Sequence, residues 1–424
     1  MRSSNTHPNA AHPNADVRMR GFAVRSTVQQ ALAWLDEHCP STTELMQELI
    51  SLSDAAGRVL AENVNSTVDV PQFRRAMMDG FALHAENTRG AGSENRLRLE
   101  IIGDCFPGEA FAGEVAPGQA VRIMTGAPLP AGADAVLPAE RCEFHDSQLF
   151  VLDEIAAGKH VGTIGEDITA GTEVFQAGRQ LRAQDVGVLS SIGCPAVKVV
   201  QRPRVRIVIT GNELLPTGTT PAGCQIADAN GPMLAALVNR DGGMTSGPDL
   251  VPDDRDAILA ALKSDAEVIL VSGGSSVGQE DYAPTLLAEH GELGIHGIHM
   301  RPGSPTGMGT LDGRLVILLP GNPVSCLCAY DFFAGRAIRQ LGGRSANWPY
   351  RSVQGTVASK LMSPLGRLVY ARVAFNPKNS WVEPITNSGS SVLSSTTRAD
   401  GFVVIPADSE GYDEGTEVGV FLYD

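Results

Sequence analysis

Three apolar runs between residues 205 and 325 each end in a small, polar, glycine-bearing motif, and each is followed by sequence of helical character. Residues 205–209, 267–271 and 315–319 lead into Thr210-Gly211-Asn212-Glu213, Ser272-Gly273-Gly274-Ser275-Ser276 and Pro320-Gly321-Asn322-Pro323. Apolar runs of strand length that alternate with helices predict a doubly wound parallel sheet, and in such a sheet the carboxyl ends of the strands open onto one crevice. Three polar strand ends aimed at one crevice predict a ligand site.

The chain of 424 residues is too long for one ordinary core, and a prior of about 150 residues per domain suggests about three domains. Residues 1–20 read as a disordered tail that repeats His-Pro-Asn-Ala from His7 and His12. Residues 21–66 and 168–202 read as a helical and linking domain, opened by a capping-box pattern at Thr27 and Gln30. Helices are expected at 43–51 and 183–191. Residues 67–167, short runs punctuated by Gly and Pro, read as an inserted β-rich domain; 203–344 as the α/β domain, with helices near 232–240, 253–263, 282–290 and 324–341; and 345–424 as a small β barrel.

A net charge of -15 argues against nucleic acid or an anionic membrane as partner, and no run of about twenty apolar residues offers a membrane span. Seven cysteines without a CxxC pair fit a reducing cytoplasm. Cys326 and Cys328, two apart on a helix, point to different faces and read as buried structural residues.

Residues 272–278 follow a buried strand and should open a helix, so the amides of Gly273 and Gly274 with the Ser275 and Ser276 hydroxyls could cradle an oxyanion or phosphate. The same stretch fits a nucleophile elbow, Gly274-x-Ser276-x-Gly278, which would make Ser276 a hydrolase nucleophile. A distant histidine is then required, and the last ones, His290, His296 and His299, stand close behind it. Carboxylates recur beside the strand ends: Glu213, Asp228, Asp253 and Asp281. Two ionised about 5 Å apart at an effective dielectric of about 20 repel by roughly 3 kcal/mol, which a hard cation such as Mg²⁺ relieves; Asp253 alone could also be a helix N-cap. Two prolines make 320–323 a rigid contact loop, and Arg301-Pro302-Gly303-Ser304-Pro305 offers a cation and amides to an anion. Gly307-x-Gly309 reads as hairpin sequence.

Together with Pro71-x-Phe73, Met78-Asp79-Gly80-Phe81-Ala82, Arg122-Ile123-Met124-Thr125-Gly126-Ala127-Pro128, Gly132-Ala133-Asp134-Ala135-Val136 and Gly165-Glu166-Asp167-Ile168, these motifs resemble the MoeA-type molybdopterin molybdenumtransferases, related to the C-terminal domain of gephyrin. The likeness runs from Gly21 to the end. It implies a dimer of four-part subunits that converts adenylylated molybdopterin and molybdate, with Mg²⁺, into molybdenum cofactor and AMP, for recipient molybdoenzymes. It also implies a site between subunits. Asp79, Thr125 and Asp167 of one would face Glu213, Asp228, Asp253, Asp281, Arg301, Pro320 and Pro323 of the other. In this reading Glu213 and Asp281 bind the metal, Asp253 and Asp79 join them in catalysis, and Gly303, Gly321 and Asn322 bind substrate. The chain departs from the family in one direction, losing positive charge. Gly162 and Thr163 stand where basic residues are frequent, Arg301 to Pro305 replaces Lys-Pro-Gly-Lys-Pro, and Asn212 replaces a frequent Asp. A non-catalytic binding paralogue and a serine hydrolase are the competing readings.

Overall fold

The computed structural model describes residues 25–39, 45–274, 281–385 and 389–423. The expected tail at 1–20 and the hydroxyls of Ser275 and Ser276 lie outside them. The chain forms two compact units, one of Leu49–Ala56 and Leu60–Lys198, the other of Met1–Glu48, Gly57–Val59 and Val199–Asp424.

The first unit contains a six-stranded sheet in the order Ala135–Pro138, Gly80–Leu83, Gln119–Ile123, Leu97–Cys105, Gln148–Val151, Cys142–His145. Its strands are short because glycine turns interrupt them, and Phe81, Leu83, Leu99, Leu137 and Leu149 fill its core. The helix Ala183–Ser191 forms where expected. Segment 43–51 does not: its described part is the strand Gln47–Ser51, whose side chains alternate between exposed and half-buried, followed by a single turn at Leu52–Asp54. The described side chains follow the two-residue period of a strand, and tertiary pairing overrides the local helical pattern.

In the second unit, Thr27 and Gln30 exchange the two hydrogen bonds of a capping box at the helix Val28–His38. The α/β domain has strands β1 (Arg204–Thr210), β2 (Met244–Val251), β3 (Val268–Ser272), β4 (Glu292–His296), β5 (Gly307–Leu311) and β6 (Arg314–Leu319). Its helices are α1 (Asn230–Arg240), α2 (Arg255–Leu262), α3 (Tyr282–His290) and α4 (Pro323–Ala329). The sheet order is β2-β1-β3-β6-β5-β4. The first four strands are parallel, and β5 turns back along β6 as the hairpin expected for Gly307-x-Gly309. Both faces are covered. Val205, Ile207 and Ile209 pack with Leu234 and Val238 of α1, whereas Val208, Ile269 and Val271 pack with Ile258 of α2 and Leu286 of α3.

The C-terminal strands Leu368–Asn376, Trp381–Pro384, Arg351–Val357, Glu417–Leu422 and Gly401–Ile405 pair in that order, and the first and last pair with each other to close a small barrel. Met300–Arg301 extends it beside Leu368–Asn376. Alternation divides that long strand. Val369, Ala371 and Val373 fill the barrel, while Tyr370 joins the core of the α/β domain and Arg372 shares its face.

The helix expected at 324–341 forms with an interruption, a π turn at Tyr330–Ala334 between α4 and Gly335–Leu341. The turn carries Asp331, fully buried, whose carboxylate accepts from Tyr350 at 2.9 Å, Tyr370 at 3.1 Å and Arg240 at 3.2 Å. Burial pushes its pKa up, and the Arg240 charge and the hydrogen bonds pull against that. Asp331→Ala removes the fully buried acceptor shared by Arg240, Tyr350 and Tyr370 and leaves a cavity in its place, so a loss of about 3 kcal/mol is expected in urea denaturation. Asp265→Ala, which removes the 83% exposed partner of Arg204, should cost under about 1 kcal/mol.

Candidate functional site

The strand ends converge as expected. The loops after β1, β3 and β6 line one pocket of about 610 Å³, into which Glu213, Asp228, Asp253 and Asp281 all face. Gly273, Gly274, Pro320, Gly321, Asn322 and Pro323 complete its wall. Two of the carboxylates are held by backbone amides. The Asp228 carboxylate accepts from the Gly231 amide at 2.9 Å, and that of Asp253 from the Asn212 amide at 3.1 Å. Asp253 is therefore a loop-to-loop tie and not the helix cap. Asp254 caps α2, accepting from the amides of Asp256 and Ala257. Asp281 occupies the N-cap position of α3 without capping it.

Glycine is required where the loops meet. At Gly273, with φ +98°, a Cβ would stand 2.2 Å from the Thr210 carbonyl oxygen and 2.8 Å from Thr210 Oγ1. A Cβ on Gly321 would lie 3.6 Å from Gly273 Cα, so the second and third loops touch. Behind them, Thr210 Oγ1 and Asn230 Oδ1 are buried with no hydrogen-bond partner among the described residues. Buried unpaired polar atoms are rare and tend to mark functional ground.

A second cavity of about 790 Å³ adjoins the first, sharing Pro305, Pro320 and Asn322 with it. Arg301 and Gly303 line it, and the barrel contributes Lys360, Arg367, Tyr370 and Arg372. Lys360 is engaged by Asp413 at 2.8 Å, and the Ser304 hydroxyl donates to the Ile298 carbonyl. Arg372 is only 3% exposed, and neither its Nε nor its Nη1 has a partner among the described residues. Charge is thus segregated: among the described residues, four cations and no carboxylate line one cavity, four carboxylates and no cation the other. Sequence reasoning missed Lys360, Arg367 and Arg372. For Arg372 the available signal was an arginine inside the otherwise apolar run 368–373, on the same face as Tyr370.

Asp79, Thr125 and Asp167 belong to the other compact unit. Asp79 Oδ1 accepts from the Thr125 amide at 2.8 Å and hydroxyl at 2.7 Å, bonds that hold the exposed carboxyl below its usual range. Asp167 is exposed and adjoins Glu166, which pairs with Arg75 at 2.5 Å. Cys326 and Cys328 are buried as expected, and burial pushes the Cys326 thiol up to about 12.

A doubly wound domain with cations in one cavity and carboxylates in the next, joined to a small barrel, defines a multidomain α/β protein with a pocket at its strand ends. Family models match the chain in three consecutive stretches: the MoeA N-terminal region (domain I and II) over residues 26–193, a probable molybdopterin binding domain over 206–340, and the MoeA C-terminal region (domain IV) over 354–423. The chain is 32% identical to a Mycobacterium tuberculosis protein named molybdopterin molybdenumtransferase 2, over 91% of this chain and 98% of that one. With a Nostoc molybdopterin molybdenumtransferase it shares 35% identity over 71% of each. Its fold is similar to that of a molybdopterin biosynthesis MoeA protein from Pyrococcus horikoshii, with a TM-score of 0.80 at 31% identity, covering 95% of this chain and 100% of that one. The chain belongs to the MoeA family of molybdopterin molybdenumtransferases, enzymes of molybdenum cofactor biosynthesis.

Gly273→Ala should displace the loop and lower stability by more than the roughly 1 kcal/mol expected for Gly218→Ala. Gly218 also has a positive φ but no atom within 4 Å of its Cβ position, so thermal melts of the two variants separate crowding from backbone strain.

Proposed function

We propose that this enzyme takes adenylylated molybdopterin and molybdate and, with Mg²⁺, forms molybdenum cofactor and releases AMP. The observation that carries this reading is the charge segregation between two cavities with a common wall. Molybdate is a compact dianion and suits the cationic cavity, where two donors of the buried Arg372 guanidinium have no partner in the described chain. Such a charge costs stability unless an anion joins it. The carboxylate pocket suits the phosphate-bearing substrate and its metal. All four side chains offer hard oxygen donors, as Mg²⁺ prefers. Among the described residues no group of three or more is spaced to hold a metal unaided; Mg²⁺ commonly takes one or two carboxylates and completes its shell with water and substrate phosphate oxygens. Glu213 and Asp281 are the two that would hold it, and when bound it neutralises charge at the scissile phosphate.

The backbone at Gly273, Gly274 and Gly321 lines the pocket with no side chain intervening, so a substrate could approach it closely. The rigid loop 320–323 shapes the pterin or nucleotide position, and Arg301 at the cavity edge attracts the oxyanion. Asp253, tied to Asn212, holds the loop after β2 against the loop after β1 that carries Glu213. We further propose a cytoplasmic homodimer in which Asp79, Thr125 and Asp167 of one subunit complete the site of the other. Two exposed apolar side chains close to Asp79 in sequence, Phe73 and Met77, support an interface there. The binding-paralogue reading rested on lost lysines; Lys360, Arg367 and Arg372 supply cations from the barrel and favour turnover. The product would pass to molybdoenzymes.

AMP release from adenylylated molybdopterin, with and without molybdate, tests the reading. Molybdate should stimulate release, and Asp281→Ala should lower kcat by about 100-fold or more. Arg372→Met should raise the KM for molybdate by roughly tenfold while the melting temperature holds or rises, because an uncompensated buried charge is removed. Release indifferent to molybdate would sink the insertion reaction.

A further inference from the structure

Asn230 is absent from every catalytic and binding role assigned above, yet its side chain bonds to two of the loops that line the pocket. It is the first residue of α1 and does not cap that helix. Its side chain is 6% exposed, and both amide hydrogens are directed to other segments. Nδ2 donates to Ser272 Oγ at 2.9 Å and to the Gly321 carbonyl at 2.8 Å. Ser272 closes β3 immediately before Gly273-Gly274, and Gly321 lies in the loop after β6. One side chain therefore joins the start of α1, two residues after Asp228, to both glycine-bearing loops. The loops also meet directly, the Gly273 amide donating to the Leu319 carbonyl at 3.3 Å. The Ser272 hydroxyl is in turn 3.7 Å from the buried Cys326 Sγ, which ties α4 into the same cluster.

Two features separate this from an ordinary satisfied core asparagine. Its two donors go to the framework of two loops that line the pocket, and its Oδ1 is left buried without a partner among the described residues. Folding alone would favour a residue that leaves no acceptor stranded. The arrangement is explained if the spacing of the two loops is what the amide secures.

We infer that Asn230 is a positioning residue of the strand-end pocket, holding the Ser272-Gly273-Gly274 and Pro320-Gly321-Asn322-Pro323 loops at the separation the reaction requires. The inference rests on the reaction proposed above for its kinetic consequence, but its structural content is independent of that reaction. Asn230 lines the pocket but spends its amide hydrogens on the framework, so its removal should leave capture of molybdate in the neighbouring cavity intact and slow the step in the pocket.

The test uses the full-length protein carrying Asn230→Asp, which preserves shape and removes both donors, and Asn230→Ala as a second variant. Hydrogen exchange followed by mass spectrometry reads the loops without reference to activity. The Gly273 amide should exchange roughly tenfold faster in Asn230→Asp, the equilibrium worth of one or two lost hydrogen bonds, while β1 stays as protected as in the wild type. Ser272→Ala should give a smaller change in the same amides. In AMP-release kinetics, kcat should fall about 10- to 100-fold with the KM for molybdate within about twofold. Wild-type exchange at Gly273, or acceleration spread evenly through the α/β domain, would overturn the positioning role, as would unchanged kcat beside a working wild type. A wild type that releases no AMP would overturn the proposed reaction, with the exchange result still deciding the role of Asn230.

Discussion

A buried carboxylate is stable only if its neighbours supply the hydrogen bonds and charge that water would have given, and Asp331 has obtained all of its neighbours from different segments. Arg240 ends α1, Tyr350 lies in the connection that leads into the barrel, and Tyr370 belongs to one of the barrel's longest strands. The indole of Trp348 adds a bond to the Asp331 carbonyl at 2.9 Å and packs edge-on against Phe332, Phe402 and Phe421. The π turn makes this possible, since an extra residue in the turn rotates the succeeding residues by nearly a third of a revolution relative to a plain α-helix. Asp331 thereby fixes Tyr370, and with Tyr370 the face of the strand on which Arg372 stands. The cationic cavity exists because the barrel is held in this register against the α/β domain.

From that attachment comes the division of labour at the strand ends. The α/β domain alone would present mainly acidic loops, because Arg301 is the one cation that it contributes to the two cavities among the described residues. The barrel brings the other cations. On the proposed reading, an oxyanion and a metal-bound phosphate would be kept apart by the residues the two cavities share, Pro305, Pro320 and Asn322, two of them with fixed φ. Separation has a physical advantage: mixed in one cavity, the arginines would pair with the carboxylates and neither would be available.

How much of this the sequence discloses depends on whether the signal is local. The strands of the doubly wound sheet, the helix Tyr282–His290 and the polar strand ends were legible because each is a contiguous run with its own period and its own terminator. The pocket carboxylates were legible for the same reason, since strand-end position alone places a residue in the crevice. Segment 43–51 misled because its composition suits a short helix and only its pairing makes it a strand. The assignment of the Asp253 carboxylate turned on one residue: Asp253 and Asp254 are both suited to capping, and only the folded backbone shows that Asp254 does so. Arg372 and Asn230 were invisible for a different reason. Each is a single polar residue in an unexceptional setting, and its meaning lies in what the fold brings to it from residues 42 and 91 positions away, as for Ser272 and Gly321 around Asn230.

Those two side chains also show how the fold distributes instability. Arg372 leaves two donors unmet and Asn230 one acceptor, and each unmet buried group costs on the order of 1–3 kcal/mol. Buried carboxylates away from the cavities avoid such costs. Asp185, equally buried, accepts from both Arg179 and Arg182, and those arginines draw its carboxyl well below the usual range. Asp241, fully buried, accepts from Tyr330, Arg339 and Arg240. Unmet buried atoms also occur elsewhere, at the Nε of Arg240 and of Arg339, so it is the position of Arg372 and Asn230 on the cavity walls, and not the want of a partner alone, that singles them out: on the proposed reading an anion would complete the guanidinium, and a fixed pair of loops is what the asparagine secures.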